Sequence, residues 1–552
     1  MKSSQRQILF FSIIFNLFVD LSLFIGRYHP IMIVFWFLSV LLFMFAVIHP
    51  DSLYRQIMIK ISKSLNYRIL GLLLLPVVIR FIYFNINRIH TDELITAYFS
   101  ANFQLLKDNF FAPVPFDSKE WVSQFPSLFF VLQRLFFSVF GTSIFSVKLS
   151  GMPYVFMTGV FLYLFVRRFW NSVIAVVSVV IYAFFPMSLY LDTLGLHFLV
   201  STAVFIMFLY FELNTILSKK KESKLSSVSG ILLGFSFLFY SSSYIALLLF
   251  ILFRAYQYVT IRHIWVLRQV LFAGFAALLV LLPFLVYMNR NHNFYLTQRF
   301  DQVNIINGEW SSRNPGGVGE NLLLSLQSLY TSGIGGHGGY NFGHLALFEP
   351  FSFVLLVLGF FVLLLGWRVP VHAFVFITIL LSFVTGMVFT IPPPAFHRFS
   401  VAFPLVVLVI SLPLGMVQHL FKKQAIYWSF IAVVLVLYVL RSESYFRKSV
   451  LSEENANVLR IAKFINDKYT GRNLYIASFP GFAFEKIYYF SEGKKAPRIV
   501  TDYHDNLLKS FDKGKKYVYV IIFSDVFNEK FKNIDPAGKI IQFPENYSVF
   551  VN

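Results

Sequence analysis

Two adjacent carboxylates, Asp92 and Glu93, close the stretch Asn87-Arg88-Ile89-His90-Thr91-Asp92-Glu93, where an apolar run ends. A carboxylate in a partly dry site can act as a general base, its pKa set by burial and neighbours. The plainer alternative is that Asp92 caps a helix over 93–108 and Glu93 supports its first turn. A third acid, Asp192, stands in the short connection Tyr190-Leu191-Asp192-Thr193. It either faces the same pocket or N-caps the next span. Arg398 follows Pro392-Pro393-Pro394-Ala395-Phe396-His397. A guanidinium there can take a phosphate through paired hydrogen bonds, or snorkel to lipid head groups. Arg80, near the end of an apolar run, admits the same snorkelling reading. His397 can assist at a phosphate or cap a helix. Glu349 can be a further acid or the cap of the span it opens. The run Gly333-Ile-Gly-Gly-His337-Gly-Gly-Tyr-Asn341-Phe-Gly-His344 lacks a following Gly-Lys-Ser/Thr, so it is no nucleotide-phosphate loop. Its glycines fit a lid. Two histidines in such a run are weak grounds for a metal site, and no stronger ligand spacing occurs. A divalent metal is allowed but not required.

The elements that position these residues are set by composition. The chain has 552 residues, 57% hydrophobic and 13% charged. Soluble domains run at about 45–50% apolar and about 25% charged, so an ordinary soluble enzyme is excluded, and so is a disordered or fibrous chain. The absence of Cys excludes disulfides and thiolate chemistry. The formal net charge of +20 fits membrane topology and anionic head groups rather than nucleic acid. About thirteen apolar runs are candidate membrane helices, near 8–26, 31–49, 69–86, 146–166, 172–187, 194–213, 229–241, 244–257, 264–288, 346–366, 371–391, 397–419 and 425–440. The first lacks a small-residue cleavage site and a second follows at once, so it reads as a span and not a signal peptide. The 229–257 stretch reads as two short spans turning at Tyr240-Ser241-Ser242-Ser243. With that count the Lys and Arg clusters, Arg254 with Arg262 and Arg268 among them, fall on one side, which the positive-inside rule makes cytoplasmic. The N-terminus is then inside and the C-terminus outside, in the cell membrane.

Two outer loops, about 87–145 and 289–345, are long, and long loops are usually functional. Within the first, 119–145 is amphipathic and aromatic and fits a helix lying in the interface. Asp20, with Asn16, lies inside the first span; a packing role suits it where no partner is identifiable. The tail, 441–552, changes character: Asn455 to Tyr469 reads as a helix, Asn473-Leu-Tyr-Ile-Ala and Tyr517-Val-Tyr-Val-Ile-Ile-Phe as buried strands, and Ile540–Phe543 with Tyr547–Val551 as a closing hairpin. The expected architecture is a two-helix extension and cytoplasmic loop over 1–68, a membrane core over 69–440 with outer-face juxtamembrane helices, and a small extracytoplasmic α/β domain.

Several pieces, in order, resemble the GT-C superfamily of glycosyltransferases, of the kind represented by aminoarabinose transferases and protein O-mannosyltransferases. They are Ile79-Arg80-Phe81 with Thr91-Asp92-Glu93, then Gln124-Phe125-Pro126-Ser127-Leu128 through Phe140-Gly141. Phe145-Ser-Val-Lys148-Leu-Ser follows, where the family usually has Arg at the place of Lys148. Tyr190-Leu-Asp192, Gly230-Ile-Leu-Leu-Gly234, Tyr340-Asn341-Phe-Gly-His344 with Glu349-Pro350, and His397-Arg398-Phe399 before Phe403-Pro404 complete the set, over roughly 69–420.

The resemblance implies transfer of a sugar, with inversion, from a polyprenyl-phosphate carrier to an extracytoplasmic lipid, glycan or protein acceptor. It makes Asp92 the base on the acceptor hydroxyl, with Glu93 orienting it. It makes Asp192 a second pocket acid and Arg398 the neutraliser of the leaving phosphate, with Arg80, His397, His344 and Glu349 as further substrate contacts. Two departures stand out. Gln124 and Phe125 replace the family's His or Lys and Pro, and the Tyr240–Ser243 turn lacks its usual Lys. The competing classes are a transporter or flippase of lipid-linked sugars, expected to show paired intramembrane charges and repeat symmetry, a diphosphate-linked glycan ligase or polymerase, and an inactive relative.

Overall fold

The computed structural model describes residues 3–47, 67–84, 90–104, 107–113, 125–217, 223–293, 295–306, 308, 311–313, 316–334, 340, 345–450, 454–469, 472–477, 498–499, 516–522, 532–533, 536–543 and 547–551. Each of the thirteen apolar runs contains a helix. Among the described residues eight helices are long and apolar enough to cross a membrane, or nine if the bent pair Ser172–Phe184 and Pro186–Asp192 is one span. The other four runs form Ile31–Val47, Tyr67–Tyr83, Ser223–Ser236 and Pro350–Leu365. At about 1.5 Å per residue these fall short of the roughly 30 Å hydrocarbon core. The chain is therefore a multi-span helical membrane protein, and thirteen complete crossings are not established. Leu128–Phe140, in the stretch expected to lie in the interface, is likewise a short apolar helix.

The chain divides into two compact units. The larger comprises Met1–Ile86, Phe103–Leu132 and Gly151–Val450. Its helices carry internal prolines, and each removes one backbone donor. In Ile264–Asn291, Pro283 cannot donate to the carbonyl of Leu279. The side chain of Asn16 donates there instead, at 2.9 Å, and Trp36 Nε1 reaches the next carbonyl, Val280, at 3.2 Å. Asn16, and Ser12 one turn earlier on Ser39 O, thus fasten the first helix to its neighbours. Asp20 continues that stripe and is buried. The 229–257 stretch is indeed two helices, Ser223–Ser236 and Ile245–Ile261. Ser243 Oγ ties the turn between them to the carbonyls of Ser236 and Tyr240.

Arg254 departs from expectation. It is not a loop residue: it lies within the helix Ile245–Ile261 and is buried, with Nε 2.7 Å from Glu212 Oε1. Its Nη2 donates to Glu212 Oε2 and Ser226 Oγ, and Nη1 to the side-chain oxygens of Gln257 and Gln269. Ser229 Oγ donates to the same glutamate. Hydrophobicity had placed it among the basic loop residues because Glu212, Ser226 and Gln269 lie on other helices and only Gln257 shares its own. Arg254→Ala should cost about 3–5 kcal/mol by leaving Glu212 buried without its cation. Arg254→Met with Glu212→Leu should cost less than Arg254→Ala alone. Unfolding midpoints in detergent for the two proteins check this.

The smaller unit comprises Asn87–Asn102, Gln133–Ser150 and Leu451–Asn552. Its sheet has the order β2-β1-β3-β5-β4, with β1 Asn473–Ala477, β2 Arg498–Ile499, β3 Tyr517–Ile522, β4 Lys539–Phe543 and β5 Tyr547–Val551. β1 is parallel to β2 and β3, while β3–β5 and β4–β5 are antiparallel. The expected helix is Glu454–Lys468, and the expected closing hairpin is β4–β5. β2, two residues long, has no readable pattern. The sheet does not make a core from the tail alone. Ile461, Ile465, Val518, Val549 and Val551 pack with Leu94, Ala97, Ala101, Phe137 and Val147 from the two earlier segments.

Candidate active site

The Asp92–Glu93 pair opens the helix Thr91–Asn102, shorter than the expected 93–108. The cap of that helix is His90 and not Asp92. His90 Nδ1 accepts from the backbone N–H of Asp92 at 3.1 Å, and Glu93 Oε2 accepts from the N–H of His90 at 3.3 Å. This reciprocal arrangement satisfies two N-terminal donors that would otherwise be orphaned. Glu93 Oε1 also lies 3.3 Å from Lys148 Nζ, and both side chains are buried. Lys148 belongs to the short helix Ile144–Leu149, whose N-cap is Ser143. Further along, Ser100 Oγ donates to Gln133, Gln133 donates to Ser150 Oγ, and Arg134 donates to the carbonyl of Ala101. The Asp92 helix is thus fixed at its start, middle and end, with its apolar side against the sheet core. Asp92 itself keeps 26% of its side chain exposed, whereas Glu93 keeps none.

In the larger unit Arg80 and Asp192 form one cluster. Arg80 is fully buried, so it does not snorkel. The helix Ser172–Phe184 breaks by 61° before Pro186. Pro186 has no N–H for the carbonyl of Tyr182, and the break frees that of Ala183 as well. Arg80 takes both: Nη2 donates to Tyr182 O at 3.0 Å and Nη1 to Ala183 O at 2.7 Å. The same guanidinium reaches Asp192 Oδ2 through Nη2 at 2.8 Å and Nε at 3.2 Å, and lies 4.6 Å from the Tyr182 ring centre. Tyr182 Oη donates to Asp192 Oδ2 at 2.9 Å. Asp192 therefore ends the segment Pro186–Asp192 and is not the N-cap of Phe198–Leu217.

Also in the larger unit, Arg398 is buried in the short helix Phe396–Phe399, and Nη1 donates to Ile391 O at 3.1 Å. His397 packs against Tyr340 with the rings tilted by 32° and their centres 4.2 Å apart, and lies within 6.1 Å of Tyr240. His197, which the sequence reading did not single out, packs against both Phe125 and Tyr240 at 4.3 and 4.8 Å, while those two rings stack on each other at 5.7 Å. The two departures from the family pattern, Phe125 and the Tyr240 turn, thus touch the same imidazole. Glu349 N-caps Pro350–Leu365, accepting from Ser352 N, and pairs with Arg441 at 3.2 Å. His337 and His344 lie outside the described residues. Among the described residues no group of three or more His, Asp or Glu could hold a metal ion. Lys148 entered the sequence reading only through the resemblance, and His197 not at all, because a lysine after an apolar stretch and a lone histidine carry no distinguishing spacing.

Residues 124–287 match the family model of dolichyl-phosphate-mannose-protein mannosyltransferases. No curated protein matches the chain by sequence. ArnT from Cupriavidus metallidurans, crystallised bound to undecaprenyl phosphate, shares the fold, with 13% identity, a TM-score of 0.57, and coverage of 88% of this chain and 97% of that one. Its apo form gives the same values. The oligosaccharyltransferase of Archaeoglobus fulgidus, in complex with Zn and sulfate, is more distant, with 11% identity, a TM-score of 0.49, and coverage of 83% of this chain and 69% of that one. Over residues 124–287 the chain is thus similar to the dolichyl-phosphate-mannose-protein mannosyltransferase family, and over most of its length it shares the fold of an ArnT protein.

Proposed function

We propose that the protein is an inverting glycosyltransferase that moves a sugar from a polyprenyl-phosphate carrier to an extracytoplasmic acceptor, a lipid, glycan or protein. The observation that carries this reading is the division of labour at the Asp-Glu pair. His90 and Glu93 close the cap and Lys148 holds Glu93 inside, so Asp92 is the acid of the pair that keeps an open side. An acid fixed on a rigid helix but open on one side is suited to take a proton from an acceptor hydroxyl. Arg398 neutralises the phosphate that departs from the sugar carbon, where negative charge builds during transfer. Glu93 holds the helix start, and Arg80 and Asp192 hold the bent span. The reading calls for no resident metal, since an acid and a guanidinium supply proton acceptance and charge neutralisation. The mannosyltransferase family match and the fold shared with a protein crystallised with undecaprenyl phosphate support a lipid-linked donor. The membrane is the cell membrane, with the N-terminus cytoplasmic and the sheet-bearing tail extracytoplasmic.

The test is transfer of labelled sugar from a panel of polyprenyl-phosphate sugars in membranes, with and without a chelator. Transfer from one donor, insensitive to chelation, is expected. No transfer from any donor in the presence of cell-envelope acceptors sinks the reading. The transporter alternative has one observation in its favour, the buried interhelical pair Glu212–Arg254. That pair is enclosed by Ser226, Ser229, Gln257 and Gln269, which suits a fixed staple better than a carrier site.

A further inference from the structure

The helix Gly317–Gln327 has its polarity reversed. Asn321 and Ser325, one turn apart, are fully buried, while Val318, Leu322, Leu323 and Leu326 are 41–56% exposed. In a water-facing helix the apolar stripe turns inward. The buried polar side chains have specific work. The span Pro370–Val388 ends in a π-turn, Val384–Val388. Its last carbonyls have no partners within the helix. Asn321 Nδ2 donates to Val388 O at 2.9 Å and Thr390 O at 3.2 Å, and Ser325 Oγ donates to Met387 O at 3.2 Å. Asn321 and Ser325 therefore fix this helix at the depth where a membrane span ends.

The exposed face is continuous with further exposed apolar surface. Leu326 and Leu329 overhang a cleft of about 210 Å³ whose other walls include Phe360, Leu380, Phe383 and Phe399, all apolar. Leu380, on the span, is itself 48% exposed. The opposite side of the π-turn meets Arg398. Gly386 lies so close to the Arg398 carbonyl that a Cβ there would collide with it. Ile391, just beyond the turn, accepts from the Arg398 guanidinium, and its own N–H is held by Val303 O at 2.9 Å.

We propose that Gly317–Gln327 is a lipid-facing strap. Its Val318, Leu322, Leu323 and Leu326 side lies among the acyl chains of the bilayer. Its Asn321 and Ser325 side holds the π-turn that seats Arg398. Asn321 is then a positioning residue for Arg398. Only its effect on donor use rests on the phosphate role proposed above for Arg398.

The chain contains no cysteine, so labelling is free of background. Leu322→Cys, Leu323→Cys and, as the polar control, Glu320→Cys would each carry a fluorophore, with the full chain in phosphatidylcholine–phosphatidylglycerol vesicles. At 322 and 323, brominated acyl chains should quench strongly and aqueous iodide weakly, with the reverse at 320. Iodide quenching at 322 and 323 overturns the lipid face, and so does shielding from both quenchers, which would mean a covering protein surface. Asn321→Ala should speed amide hydrogen exchange over 384–398, and Asn321→Gln should restore part of the protection. Unchanged exchange overturns the seat. In the transfer assay Asn321→Ala should raise the donor KM about tenfold with kcat little changed. Faster exchange with an unchanged KM would leave the strap standing and count against the phosphate role of Arg398.

Discussion

Asp92→Asn should lower sugar transfer by about 10²-fold or more while the protein keeps its fold. The amide preserves shape and the helix start, because the cap hydrogen bonds run from the N–H of Asp92 to His90 and from the N–H of His90 to Glu93, while Asp92 Oδ2 lies 4.0 Å from His90 Nδ1. What is lost is the proton acceptor. The loss should appear in kcat and equally in kcat/KM, the pattern of an interaction made in the transition state. Glu93→Gln is the informative contrast. Its carboxylate is buried against Lys148, so removing the charge strands a buried ammonium. That variant should lose thermal stability, and any loss of transfer should follow the loss of folded protein. Equal transfer by wild type and Asp92→Asn, at equal folded amounts, would remove Asp92 from the chemistry. A large stability loss in Asp92→Asn would restore the helix-start role that the capping geometry assigns to its neighbours.

The membrane helices were legible because hydrophobic length is a local property. Each apolar run is helical, and the serine break after Tyr240 fell where polar residues interrupt the run. The closing hairpin was legible for the same reason, two alternating apolar stretches with a short connection. What stayed hidden depends on pairs far apart in sequence. Arg80 and Asp192 are 112 residues apart, and Glu212 and Arg254 are 42 apart. A basic residue in or beside an apolar run reads alone as snorkelling or cytoplasmic, and only its partner reveals that it is buried. The same holds for the tail. Its strands were readable, but nothing in 441–552 announces that Ile461 and Val518 pack against Leu94 and Ala97 of the Asp92 helix. The acids themselves were visible. The sequence left open which of Asp92 and Glu93 supports the helix, and the hydrogen bonds to His90 and the ion pair to Lys148 answer it.

Arg80→Ala should destabilise the protein by about 3–5 kcal/mol, the range for stranding one member of a buried ion pair. The substitution leaves Asp192 without its cation and also uncovers the carbonyls of Tyr182 and Ala183, which the break at Pro186 has already deprived of backbone donors. Arg80→Lys should rescue little of this. An ammonium donates from a single point, whereas the guanidinium spans two carbonyls and a carboxylate at once. Removing both charges with Arg80→Leu and Asp192→Leu should recover only part of the loss, because the two carbonyls stay unsatisfied. This distinguishes the cluster from Glu212–Arg254, where the partners are side chains and paired apolar replacement removes most of the problem. Denaturation of wild type, Arg80→Leu, Asp192→Leu and the double variant in one detergent, read as a double-mutant cycle, measures the difference. If Arg80→Ala melts like wild type but transfers no sugar, the cluster is part of the substrate site and the bent span does not need it. If stability falls and residual transfer tracks the folded fraction, Arg80 acts by holding the Pro186 break in place.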